Sequence, residues 1–372
     1  MNARERFRTR LAAGPLLADG AMGTLLYSRG VPQRANLDEL VTTRPDLISG
    51  IHREYLEAGA ELIETATFGA NRARLAAHGM SDRAAALSRR GAQLAREARD
   101  VSGREAWVAG SVGPLGAPTR ELLHLPDSAV RAAVREQLDG LLEGGVDLFI
   151  FETFTLLSHL LLAVDEARGT ADLPIIAQLT YGEELQLPDG TVPATAAAAL
   201  LAGGADVVGV NCGGGPVACA EALEAMAQGV SGAAGPGQPV ASLRSVMPNA
   251  GLPQRIEGQF VYAASPAYLG GIVPRFLAAG ATILGGCCGT TPEHIAAMRA
   301  VLDALPTAGP PVGTAQATAT TPSETVSTIR SVPTAAEPYA TPRSSAEPSP
   351  PTALGRALAG DHFVISVEID PP

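Results

Sequence analysis

The chain has no lysine. All 27 of its basic residues are arginine, set against 38 acidic ones, and the net charge is −11. Binding to nucleic acid or to an anionic lipid surface rests on clustered Lys and Arg that neutralise phosphates, and no such cluster occurs here. Small soluble ligands are the expected partners. The sequence also lacks any apolar stretch of membrane-spanning length. Its opening, MNARERFRTRLAAGPLLADG, is charged without the apolar segment of a signal peptide, so a cytoplasmic protein is expected. Cysteine is scarce as well. Four in 372 residues make no disulfide framework. In a reducing compartment, clustered cysteines more often bind metal or do chemistry.

What is abundant is a repeat. Four segments share one pattern, an amphipathic helix, a glycine turn, and an apolar run closing on polar residues: YLEAGAELIETATF (55–68), LLEGGVDLFIFETF (141–154), LLAGGADVVGVNCG (200–213) and FLAAGATILGGCCG (276–289). Glycine after the helix permits a left-handed turn, and apolar runs without alternation suit strands covered on both faces. Four further runs, beginning at Pro15, Ala106, Pro174 and Pro239, bring the number of predicted strands to eight. Strands alternating with helices eight times predict an α/β fold, a (β/α)8 TIM barrel, over residues 1–305. From 306 to 352 the chain is rich in Pro, Thr, Ala and Ser with little apolar bulk, which predicts a disordered linker. Residues 353–372 read as the start of another domain.

In such a barrel the functional groups sit where strands end. The eight ends carry Asp19, Glu64, Ser111, Glu152, Thr180, Asn211 with Cys212, Asn249, and the adjacent pair Cys287 and Cys288. Cys212 and the pair belong to the sixth and eighth strands, whose ends share one face. Three thiolates suit Zn2+ and leave a fourth tetrahedral position open, the arrangement of a catalytic site. Two adjacent ligands require the backbone to leave strand geometry, which Gly285, Gly286 and Gly289 permit. The spacing leaves a second reading open: a thiol-metabolite binding or redox-sensing module in which Cys287 and Cys288 form a disulfide. Cys219 reads as an ordinary packed cysteine. Asp19 and Glu152 end apolar runs, where an unpaired carboxylate is costly, and a substrate ammonium is a natural partner for both. The turn DGAMGT can offer backbone N–H groups to a carboxylate. The six histidines, His294 among them, read as surface or packing residues, with Thr291 and Pro292 opening a helix.

The ordered set DGAMGT, IETATFGAN, FETF, GVNCGGGP, MPNAG and GGCCGTTPEHI resembles the zinc-dependent homocysteine S-methyltransferases. That family includes the homocysteine-binding domain of methionine synthase and betaine-homocysteine methyltransferase. The resemblance covers residues 1 to 303. It implies that Cys212, Cys287 and Cys288 bind zinc and that the sulfur of homocysteine takes the open position, to be methylated to methionine. It further implies that Asp19 and Glu152 hold the amino group, with backbone around Gly20, Ala21 and Met22 near the carboxylate and Asn211 and Asn249 shaping the pocket. One residue departs from the pattern: Ala66 stands where many relatives have Asn.

The tail HFVISVEIDPP resembles the opening strand of methylenetetrahydrofolate reductases, in which the counterpart of Glu368 is catalytic. This implies the N-terminal part of a bifunctional protein in one-carbon metabolism, with FAD belonging only to the reductase domain. The methyl donor stays open among S-methylmethionine or S-adenosylmethionine, betaine, and methyl-folate acting through cobalamin. The chain has no D-x-H-x-x-G cobalamin signature, so methylcobalamin is expected only on a separate protein. Sulfonium donors need no further module and are preferred, although the fused reductase hints at folate. An oligomer is possible on the sequence.

Overall fold

In the computed structural model the residues described are 1–117, 124–231, 243–256 and 259–305. The expected linker at 306–352 and the reductase-like tail with Glu368 lie outside them. Among the described residues there are ten strands: β1 (Leu16–Leu17), β2 (Leu62–Glu64), β3 (Trp107–Val112), β4 (Leu148–Phe154), β5 (Ile175–Leu179), β6 (Val207–Asn211), β7 (Arg244–Met247), β8 (Gln254–Ile256), β9 (Gln259–Val261) and β10 (Ala281–Leu284). Eight of them form one parallel sheet in the order β1-β10-β7-β6-β5-β4-β3-β2. A parallel bridge between Ala18 and Leu62 brings the two edges together, giving a (β/α)8 barrel. Every strand expected from the repeats is there. The small antiparallel hairpin β8–β9 is additional, inserted after the seventh barrel strand.

The repeat glycines do what the pattern requires. Gly59, Gly145, Gly204 and Gly280 have φ of +101°, +83°, +103° and +81°, the left-handed region in which a side chain is strained. Each turns the chain from a covering helix into a buried strand.

Residues of alternate parity point into the barrel. Leu16, Leu62, Ala109, Leu148, Ile150, Ile176 and Ile283 pack there, and Phe7 and Leu11 of the N-terminal helix (Ala3–Ala12) close the floor. That helix is pinned from outside, because Arg4 and Arg8 reach the buried Asp206 carboxylate at 2.8 and 3.0 Å, and Arg168 also donates to it. Burial raises the Asp206 carboxyl, but Arg4, Arg168 and the Ile175 N–H together outweigh it and hold the group below its ordinary value. Moving up from the floor in steps of two, from Leu62, Ala109, Ile150 and Val207, places Glu64, Ser111, Glu152 and Asn211 on the same inward face of β2, β3, β4 and β6. The polar layer at the C-terminal mouth is therefore set by strand period alone.

His52, on the helix Pro45–Glu57, is fully buried and neither ring nitrogen has a partner among the described residues. Burial lowers its pKa to about 4. A folded pKa below the unfolded value of about 6.5 gives stability that is complete above pH 6.5 and lost as pH falls towards 4. His52→Leu is expected to remove this loss, about 2 kcal/mol between pH 7 and pH 5. Thermal melts at the two pH values check it: the gap between variant and wild type should widen in favour of the variant at pH 5.

Candidate functional site

The Sγ atoms of Cys212, Cys287 and Cys288 all lie within 4.8 Å of one another. Cys212 follows β6 with φ +56°, and its N–H is held by the carbonyl of Met247 at 2.9 Å. Cys287 and Cys288 open a four-residue turn closed by Thr290 N–H to the Cys287 carbonyl at 3.0 Å, with Gly289 at φ +80°. A Cβ on Gly289 would stand 2.1 Å from the Tyr262 ring, so only glycine fits this turn. The turn takes the chain off the β10 strand direction, which is how neighbouring side chains reach a common point. Cys287 and Cys288 are both free thiols, as is Cys212, and the structure contains no Cys287–Cys288 disulfide.

Thiol hydrogen bonds from Cys287 and Cys288 converge on Cys212 and lower its pKa to about 3. The same bonds push Cys287 up and hold Cys288 at about 12. Cys219 is buried on the helix Pro216–Ser231, with its thiol directed at the Cys212 carbonyl at 3.1 Å, a packed residue outside the cluster.

Beside the sulfurs is a second buried charge problem. Asp19 and Glu152 are 3% and 9% exposed, and Glu64 joins them. Asp19 accepts the Glu64 N–H at 3.0 Å, Ser111 Oγ donates to Glu152 Oε1, and Glu64 and Glu152 share a hydrogen bond. Burial, and then repulsion from Glu152, raises Asp19 well above the carboxylate range, and Glu64 likewise. Glu152 is raised too, mainly by burial, with Ser111 opposing. Buried Oε1 of Glu64 has no partner among the described residues. Glu64 is legible in the sequence as a strand end but not as a member of this group, because its meeting with Glu152 depends on how β2 and β4 are placed around the barrel.

The DGAMGT and CCGTT segments are stitched to each other. Gly286 N–H donates to the Asp19 carbonyl at 2.9 Å, Gly289 N–H to Thr24 Oγ1 at 2.9 Å, and Ala21 N–H to Thr290 Oγ1 at 3.1 Å. Tyr55 Oη donates to the Ala21 carbonyl at 2.8 Å. A Cβ at Gly20 would lie 2.6 Å from Thr290 Oγ1, so the approach is close. The Ala21 amide is already committed to Thr290, while Met22 caps the short helix Gly23–Ser28. Asn249 is buried, donates to the Gly213 carbonyl at 3.0 Å, and leaves Oδ1 without a partner among the described residues.

Ala66 is buried beside a closed polar network. Thr65 and Thr67 hydroxyls meet at 2.6 Å, Ser111 N–H donates to Thr65 Oγ1 at 3.0 Å, and Thr67 Oγ1 donates to the Ser111 carbonyl at 2.8 Å. The threonines flanking Ala66 thus supply hydrogen bonds that hold the Ser111 backbone. His294 lies at the start of the helix Pro292–Ala304 in a capping box with Thr291 and bonds the Ala264 carbonyl at 2.9 Å, a structural position as expected.

Residues 16–302 match the family model described as homocysteine S-methyltransferase. The chain is 35% identical over 299 residues to methionine synthase of Mycobacterium tuberculosis, covering 75% of this chain and 24% of that protein. It is 33% identical over 317 residues to the homocysteine S-methyltransferase of Escherichia coli, covering 77% of this chain and 94% of that protein. The chain spans about a quarter of the length of the methionine synthases it matches. Among solved structures, the metallated form of the E. coli homocysteine methyltransferase MmuM is similar with a TM-score of 0.65 at 28% identity, covering 80% of this chain and 99% of that one. No helix among the described residues is long and apolar enough to cross a membrane.

Proposed function

Since the chain belongs to the homocysteine S-methyltransferase family, we propose that it transfers a methyl group to the sulfur of homocysteine, giving methionine, with zinc held by Cys212, Cys287 and Cys288. The observation that carries the reading is three sulfurs within 4.8 Å of one another beside a group of buried carboxyls. The donor set fits the ion: sulfurs around a tetrahedral zinc with bonds of about 2.3 Å stand ~3.8 Å apart, within the span of this cluster. Zinc, when bound, lowers the pKa of a thiol that joins it, so that a substrate sulfur is presented as a thiolate near neutral pH.

The remaining work falls to the protein's own residues. Asp19 and Glu152 receive the substrate ammonium, whose positive charge relieves their buried repulsion. Ser111 orients Glu152, and the stitched DGAMGT and CCGTT turns fix the distance between ammonium and sulfur ends of the ligand. Holding the sulfur in one place for in-line attack is a contribution of proximity. In the transfer a carbon–sulfur bond forms to the substrate sulfur and the bond from methyl to the donor breaks, its electron pair leaving with the donor. The thiol proton passes to solvent. We assign this activity to residues 1–305.

The E. coli homocysteine S-methyltransferase, matched along 94% of its length, supports a barrel that works without further modules. We therefore favour a sulfonium donor, with methylcobalamin on a separate protein as the second candidate. The test is a donor panel with homocysteine: S-methylmethionine, S-adenosylmethionine, betaine, and methyl-folate with and without added cobalamin. The expected result is methionine from at least one donor, lost on metal removal and restored by zinc. Undiminished turnover in a metal-free preparation, or no methionine from any donor, overturns it.

A further inference from the structure

Asn211 is expected from sequence to shape the substrate pocket, yet its amide is already spent. Thr153 N–H donates to Asn211 Oδ1 at 2.7 Å, and Asn211 Nδ2 donates to Thr153 Oγ1 at 2.7 Å and to Cys287 Sγ at 3.7 Å. Both amide hydrogens and one acceptor site of Oδ1 are thereby used. Its partner Thr153 has φ +61°, a left-handed conformation that is costly for a β-branched residue and persists only where its surroundings impose it. Thr153 directly follows Glu152, whose side chain ends among the carboxyls.

We propose that Asn211 is a positioning residue that couples the two halves of the site: it clamps Thr153 in its strained conformation so that Glu152 faces the ammonium, and through its remaining N–H it orients the Cys287 sulfur. The assignment rests on the methyl-transfer reading above. The two jobs are separable because they use different hydrogen bonds. The clamp is needed only because residue 153 carries a Cβ. A glycine there adopts φ +61° without steric cost, so Thr153→Gly makes the clamp dispensable. Nothing at position 153 replaces the bond to sulfur. Bonds of this kind around metal ligands are commonly worth 10- to 100-fold in metal affinity.

The experiment compares wild type, Asn211→Ala, Thr153→Gly and the double variant by two readouts: zinc retention in competition with a chelator, and homocysteine KM and kcat at saturating zinc. Asn211→Ala should raise KM and weaken zinc retention, each by roughly 10-fold or more. The double variant should return KM to within about 3-fold of Thr153→Gly alone while zinc retention stays weak. Asn211→Asp is the second variant, should the alanine form fold poorly. It keeps an acceptor for Thr153 N–H and cannot donate to sulfur, so it should lose zinc retention with KM little changed. Failure of Thr153→Gly to rescue KM, or unchanged zinc retention in both Asn211 variants, overturns the proposal. A wild type that methylates no homocysteine overturns the methyl-transfer reading instead; the chelator competition needs no turnover and still judges the bond to Cys287.

Discussion

Cys287→Ala should purify with far less than one zinc per chain and methylate homocysteine at least ~10^3-fold more slowly than wild type. Metal assistance of this kind is worth several kcal/mol, and about 4 kcal/mol is a factor of ~10^3 in rate. Two sulfurs cannot complete the three-ligand set, and a free substrate thiol with a pKa of about 8.5 is only a few per cent thiolate at pH 7. The fold should survive, since the Cys287 backbone bonds to Pro248 and Thr290 do not depend on the side chain. Cys219→Ala is the matched control. Its thiol sits 3.1 Å from the Cys212 carbonyl and outside the cluster, so zinc content and rate should stay within about 3-fold of wild type. Metal analysis and initial rates on the two variants decide it; a zinc-replete, active Cys287→Ala sinks the assignment.

Asp19→Asn should lower kcat/KM for homocysteine by about 10^2-fold, almost all of it in KM. Truncating one member of a buried, hydrogen-bonded charge pair costs about 2–5 kcal/mol, and the pair proposed here is carboxylate and substrate ammonium. The selectivity of the loss is the sharper readout. A thiol acid of the same length without the amino group should be used poorly and nearly equally by wild type and variant. Stability should move the other way. Asp19 is raised well above its ordinary value by burial and by Glu152, so its contribution to stability is complete only below the unfolded pKa and is lost as pH rises through the folded one. At neutral pH the carboxylate therefore costs the unliganded protein stability, and Asn, which never ionises, should raise Tm. Equal losses for both thiols, or a lower Tm at neutral pH, would contradict this account.

The barrel was legible because its signal is repeated: helix, left-handed glycine, apolar run. The four repeat segments and the four further apolar runs supply the eight barrel strands. The hairpin β8–β9 escaped because three-residue strands in GLPQRIEGQFVY have no repeat to belong to. At the site, residue type at a strand end was enough to pick out the three cysteines, Asp19 and Glu152. Contacts made by backbone geometry were not readable. The positive φ of Thr153 and Cys212 has no signature in residues that are neither Gly nor Asn, and so the occupied amide of Asn211 stayed hidden. The Ala21 N–H engaged by Thr290 is of the same kind, since it depends on two segments 269 residues apart.

That separation has a kinetic meaning. β1 pairs with β10, the first barrel strand with the last. The bonds between the DGAMGT and CCGTT turns must wait until residues 286 to 290 have left the ribosome, whatever order the middle of the chain folds in. A nascent chain holds Asp19 and Glu152 long before it holds Cys287 and Cys288. On the proposed function, loading with metal and capture of an amino acid thus become events of the finished barrel, and a chain stopped short of its eighth strand should do neither.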